Sequence, residues 1–192
     1  MVRDGEVVDY HAGTVCMELF RADVESYLVS LNMTVPSVWI IMERDDTNRS
    51  PSGWFVVADT FNHRLRWYDE EGNCLDTFGA LGAAPGSFRE PSGVALAEDG
   101  RLAVADTWNT RVQLIDPDGV AQVIDDGLFG PRDLLWEADG SLLVADTGNR
   151  RILRYSPPGW QRETIVELPA PVVGLARAGG LVAAAVPSDG AI

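Results

Sequence analysis

The chain has 192 residues, 46% of them apolar, enough for one packed domain and too many for a disordered one. Its 29 acidic residues outweigh 15 basic ones, giving a net charge of -14 and a pI of about 4.4, a balance that repels nucleic acid and anionic membranes at long range. No stretch reaches the roughly 18 apolar residues of a membrane span, and the charged opening MVRDGEVVDY lacks the apolar centre of an export signal.

The expectation for the chain as it stands is therefore a soluble, cytoplasmic protein. All basic residues are arginine, which with abundant Ala, Gly and Val gives a bacterial-like, GC-rich composition. Cys16 and Cys74 lack disulfide-framework or metal-ligand spacing and read as buried free thiols. The Asn32 and Asn48 tripeptides match the glycosylation pattern, which carries no weight without export.

In chain order, residues 1–36 hold EVVDYHAGTVCMELF at 6–20, which turns at Gly13 and aligns with RWYDEEGNCLDTF at 66–78, followed by a connector. Residues 37–79 form the first complete unit, containing VADTFNHR at 57–64 and an insertion at 42–53 with Asp45 and Asp46. That insertion reads as a solvated polar loop, with a weak calcium loop as the alternative.

Residues 80–124 form the second unit, with VADTWNTR at 104–111, and residues 125–169 the third, with VADTGNRR at 144–151. Six of the eight motif positions are identical in all three copies, and the repeated Asp recurs after 47 and then 40 residues. Each unit predicts four short strands cut by Gly, Asp, Asn and Pro turns: 93–97, 102–106, 111–116 and 120–124, then 133–136, 141–146, 151–155 and 161–167. In residues 170–192, the run 172–185 matches the first two strands of a unit, but Ala185 and Ser188 replace the motif Asp and Asn.

Four strands per ~40 residues is the blade of a propeller. PSGVALAEDGRLAVADTWNTRVQLIDPDG at 91–119 resembles the NHL repeat almost position for position, and the resemblance covers about residues 37–169. The fold class is thus all-β, a β-propeller of NHL-type four-stranded blades, three complete plus a partial blade at each terminus. The partial blades, 6–20 and 172–185, could zip into one and close a ring of four. Otherwise the chain is a fragment of a longer propeller, or self-associates to cover its open edges.

Strand alternation puts the loops between second and third strands on one face with the inter-blade connectors 21–36, 79–92 and 125–132. This upper face is where a binding site belongs. Within the motif, Asp59, Asp106 and Asp146 read as structural, pairing with Arg64, Arg111 and Arg151 five residues on, rather than as a cation-holding ring. Asn62, Asn109 and Asn149 read as turn residues at positive φ. The variable positions Phe61, His63, Trp108, Thr110 and Arg150 are the binding candidates, joined by Arg132 and Asp133 at the channel mouth. For Phe61 and Trp108, packing between blades stands as the alternative.

The innermost strands are nearly all apolar, with Ser37, Ser92, Arg132 and Asp133 above and Glu43 and Glu137 below; neither His11 nor His63 lies on them. The chain also lacks GxSxG and HExxH. The expectation is a protein- or peptide-binding scaffold with no catalytic residue, metal or cofactor. Related propellers imply the alternative of a metal-dependent lactonase or amidating lyase. RNA binding, which the family also implies, ranks behind both because of the net charge.

Overall fold

Short runs of Val, Leu, Ile and aromatic residues, each cut by a tight turn, can pair only with the run before and the run after. The computed structural model, which describes residues 2–3, 6–7, 41–43, 54–69, 72–116, 119–125, 127–178 and 181–187, has that arrangement. The first blade is β3 (Ile41–Glu43), β4 (Trp54–Asp59), β5 (Arg64–Asp69) and β6 (Cys74–Phe78), after a small hairpin of β1 (Val2–Arg3) and β2 (Glu6–Val7). The second is β7 (Gly93–Leu96), β8 (Leu102–Asp106), β9 (Arg111–Asp116) and β10 (Gly119–Ile124). The third is β11 (Asp133–Trp136), β12 (Leu142–Asp146), β13 (Arg151–Ser156) and β14 (Gln161–Glu167), and a two-stranded sheet of β15 (Gly174–Ala178) and β16 (Leu181–Ala185) follows.

The described strands all pair antiparallel with sequence neighbours, and each motif Asp faces its own Arg across the hairpin: Asp59 opposite Arg64, Asp106 opposite Arg111, Asp146 opposite Arg151. The register shifts between third and fourth strand in every complete blade, which bends the outer strand and adds twist. Among the described residues no helix is long and apolar enough to cross a membrane. Of the expected N-terminal hairpin 6–20, only Glu6–Val7 is described, and it pairs with Val2–Arg3. The rest of that segment, the connector 21–36 and the Asp45 and Asp46 of the insertion lie outside the described residues.

The core lies between blades rather than within them. On β8, Leu102 and Val104 join a buried cluster with Val56, Ala58 and Leu65 of the first blade, while Ala103 and Ala105 join another with Leu142, Val144 and Leu153 of the third. On β12 the same alternation sends Leu143 and Ala145 toward Val172 and Leu175. The Val of the VAD motif in the second and third blades thus faces the preceding blade and the Ala the following one, as a two-residue period requires. The outermost strands gain less cover: β10 buries Ile124, but β14 is exposed throughout, and Cys74, expected as a buried thiol, is exposed because it lies on the outer strand β6.

On the lower face, Arg101 of the second blade lies over Trp136 and Trp160 of the third at 5.3 and 5.6 Å. Below the inner strands, Glu137 accepts from Arg154 and from Arg177, the latter at 3.3 Å, so third-blade and fourth-sheet groups share one carboxylate.

Innermost strands approach closely at Gly93, where a Cβ would lie 2.5 Å from the carbonyl oxygen of Arg132. That oxygen already accepts the Ser92 hydroxyl at 3.0 Å, so it has little room to move. Gly93→Ala is expected to destabilise the chain by about 1–3 kcal/mol, measured by urea unfolding. An unchanged midpoint would mean that the blades do not abut there.

Candidate functional site

Each motif loop is a single 3-10 turn, Thr60–Asn62, Thr107–Asn109 or Thr147–Asn149, closed by the N–H of the next residue bonding to the Thr carbonyl at 3.1 Å. The residues at positive φ are His63 (57°), Thr110 (56°) and Arg150 (56°), not the expected Asn62, Asn109 and Asn149. The asparagines keep turn geometry and spend their side chains instead. Asn109 Nδ2 donates to Asp106 Oδ2 at 2.9 Å and to Gly82 O at 2.8 Å, and Asn149 Nδ2 to Asp146 Oδ2 at 2.9 Å and Gly127 O at 3.0 Å. Asn62 Nδ2 donates to Asp59 Oδ1 at 2.7 Å. Left-handed backbone at the β-branched Thr110 is strained, so the turn overrides side-chain preference.

The aspartates are the centre of this geometry. Asp106 is fully buried and accepts from Arg111 Nε at 2.7 Å, Asn109 Nδ2, Gln113 Nε2 at 3.0 Å and the backbone N–H of Arg89 at 2.7 Å. Asp146, also fully buried, accepts from Arg151 Nε at 2.7 Å, Asn149 Nδ2 and the Phe129 N–H at 2.8 Å. Asp59 is 21% exposed and holds Arg64 Nε at 2.8 Å and Asn62.

The guanidinium of Arg111 also donates to the carbonyls of Ala83, Ala84 and Ser87, and Gln113 bonds Ser87 O and Gly86 N. Gln113 was not legible as a site residue, because the corresponding third-strand positions hold Arg66 and Leu153.

The next motif residue points forward along the chain. Thr107 Oγ1 donates to Pro131 O at 2.8 Å, and Thr147 Oγ1 to Val172 O at 2.6 Å. The second and third loops are therefore clasped to the connector before them by Asp and to the connector after them by Thr, whereas the Thr60 hydroxyl of the first loop bonds Ala58 O at 3.4 Å.

Of the binding candidates, Phe61 and Trp108 are 67% and 60% exposed, which decides against packing between blades. They are joined on the same rim by Leu81 (65%) and Phe129 (60%), which sequence reasoning missed because both lie in connectors without a repeat signature. Arg132 and Arg150 are exposed. His63 is half-buried and its Nδ1 accepts the Glu90 N–H at 3.0 Å, while the Thr110 hydroxyl is turned back to Asn109 O at 2.8 Å. Both are occupied within the loops.

Asp133 does not present its carboxylate to the channel mouth. It is 2% exposed, and its oxygens accept the N–H groups of Leu134 and of Leu175 in the next sheet. Burial pushes this carboxyl up to about 7, against the lowering pull of those two N–H groups. Among the described residues, no three His, Cys, Asp or Glu side chains converge as a metal group would require.

Two family models match the chain: the NHL repeat over residues 88–113, and a protein of unknown function, DUF3305, over residues 1–78. The B-box type zinc finger protein ncl-1 of Caenorhabditis elegans is 50% identical over 42 residues, 22% of this chain and 5% of that protein. Virginiamycin B lyase of Staphylococcus aureus superposes with a TM-score of 0.55 at 15% identity, over 77% of this chain and 48% of the other. Hydrazine synthase of Kuenenia stuttgartiensis gives 0.62 at 15%, over 82% and 44%. A candidate gluconolactonase gives 0.54 at 24%, over 69% and 53%. The chain thus spans about half the length of these solved structures and a small part of ncl-1. At such identities the structural likeness establishes the fold.

One substitution in three repeats is expected to have graded consequences, because the three carboxylates differ in burial and in donors. Asp106→Ala strands a buried guanidinium and should lower stability by about 3–5 kcal/mol, Asp146→Ala somewhat less, and Asp59→Ala by about 1 kcal/mol or less. Equal losses by chemical denaturation would contradict this ranking.

A second expectation concerns pH. Asp133 is raised from 3.8 to about 7, so below that value the folded protein holds a proton that the unfolded chain releases. Its contribution to stability falls as pH rises from about 4 to about 7, with a slope of at most about 1.4 kcal/mol per pH unit. The melting temperature of the native chain relative to Asp133→Asn should therefore rise as pH is lowered from about 7.5 to about 5. A difference independent of pH would place the titration elsewhere.

Proposed function

This chain is built of NHL repeats on the β-propeller plan, and from that footing we propose that it is a binding scaffold whose upper rim receives a protein or peptide. The observation that carries the reading is the placement of Phe61, Leu81, Trp108 and Phe129. Of the five large apolar side chains that are 60% or more exposed among the described residues, these four lie on loops and connectors of one face, and the fifth, Leu181, is on the last strand, β16. Single exposed hydrophobics are ordinary, but a run of them along a functional face marks an interaction site.

The loops that carry them are fixed before any partner arrives. Trp108 sits on a turn whose N–H bonds Arg89 O at 3.1 Å, and the Gly148 N–H bonds Phe129 O at 2.8 Å. Ordering entropy is already spent, so contact area translates more fully into affinity. Aromatic and Arg side chains are also the types that contribute most at interfaces.

The enzyme alternative needs free polar groups on inner strands. Asp133 of β11 and Glu137 just beyond it are instead committed to neighbouring N–H and guanidinium groups. Elemental analysis of the purified chain separates the readings, since a stoichiometric metal would favour the enzyme.

Trp108→Ala is expected to weaken capture of partners from a lysate of the source organism by about 2 kcal/mol, roughly 30-fold, while changing stability by less than about 1 kcal/mol. Full retention of every captured partner would remove Trp108 from the interface. Unfolding of the variant would return it to the core.

A further inference from the structure

Along the upper rim, three exposed aromatics and three exposed arginines are interspersed in chain order: Phe61, Arg89, Trp108, Phe129, Arg132 and Arg150. Their elements are laced together by hydrogen bonds from Glu90 to His63, from Arg89 to Asp106, from Ser92 to Arg132 and from Phe129 to Asp146. All six side chains therefore belong to one continuous arc.

The arginines elsewhere in the blades are engaged. Arg64, Arg111 and Arg151 hold their motif aspartates, Arg101 holds Asp99, and Arg154 and Arg177 share Glu137. Arg89, Arg132 and Arg150 differ: all three are exposed, and among the described residues none has a side-chain hydrogen bond or ion pair. On a chain of net charge -14, the exposed guanidiniums that make no side-chain hydrogen bond or ion pair among the described residues are gathered on the face that also exposes aromatics.

We propose, resting on the reading of this rim as a binding surface, that its partner is an acidic peptide segment. Asp or Glu side chains of an extended stretch reach Arg89, Arg132 and Arg150, while apolar side chains between them cover Phe61, Trp108 and Phe129. A linear segment crossing successive blades meets these groups one after another, and planar guanidiniums suit carboxylates.

Glu90 and Asp125 lie on the same connectors, so the rim is a row of discrete positive points rather than a positive field. That distinction favours a peptide over RNA. A nucleic acid carries a charge at every residue and meets the repulsion of the whole protein, whereas two or three carboxylates interact locally within a Debye length of about 8 Å.

The test is selection of a displayed library of random 12-residue peptides on the full chain, followed by fluorescence anisotropy with the recovered peptides and with a labelled 12-nucleotide oligouridine. Recovered sequences should be enriched in Asp and Glu interspersed with Trp, Phe or Leu. Their affinity should fall at least tenfold in Arg132→Gln/Arg150→Gln, with the melting temperature unchanged, and should weaken with added salt. Neutral or basic sequences that still depend on Trp108 would overturn the acidic partner and leave the rim as a binding surface. Oligouridine binding more tightly than any peptide would overturn the peptide. No enrichment, or binders indifferent to Trp108→Ala, would overturn the binding surface itself.

Discussion

Everything on the upper face depends on a carboxylate held out of water by several N–H donors. A buried, unpaired carboxylate would cost many kcal/mol, so Asp106 is tolerable only because Arg111, Asn109, Gln113 and the Arg89 backbone converge on it. The constraint works in both directions. Those donors belong to the turn, the third strand and the preceding connector, so satisfying one carboxylate fixes three elements relative to one another. Thr107 then fixes the following connector through Pro131. Repeated from blade to blade, this clasp turns loops that would otherwise be free into a rigid rim.

Much of the architecture was legible because it is local. Period-two patterning, turn residues and a motif recurring at blade spacing give strand boundaries that agree with β7 to β14 to within about a residue. The Asp and Arg pairs were legible for the same reason: five residues apart around a three-residue turn, they must face each other across the hairpin.

What was not legible depends on contacts between blades. Asp133 reads in the sequence as a polar residue at a strand entrance, yet its carboxylate reaches Leu175 in the next sheet, forty-two residues on. Asn62, Asn109 and Asn149 read as the left-handed residues because asparagine tolerates that backbone. The next residue takes the strain, which frees the Asn amides to join Asp to a connector carbonyl. Gln113 gave no repeat signal because it serves one blade only.

The variable rim positions are coupled to one another, which makes the surface more constrained than a list of differing residues suggests. Arg89 and Phe129 occupy the same place in successive blades, each donating its N–H to a motif Asp and each accepting from the loop through its carbonyl. Opposite Arg89 stands Trp108; opposite Phe129 stands Gly148, where a Cβ would come within 2.3 Å of the Phe129 ring. Only a residue without a side chain leaves room for that ring. The second blade thus presents its aromatic from the loop and its arginine from the connector, and the third presents its aromatic from the connector and an arginine, Arg150, from the loop. An aromatic and an arginine are paired across loop and connector in both blades although the residues that supply them have changed places, and the third blade adds Arg132. Packing alone does not demand that outcome, since both side chains in each pair are exposed, whereas the proposed ligand, meeting an apolar and a cationic group side by side on each blade, would.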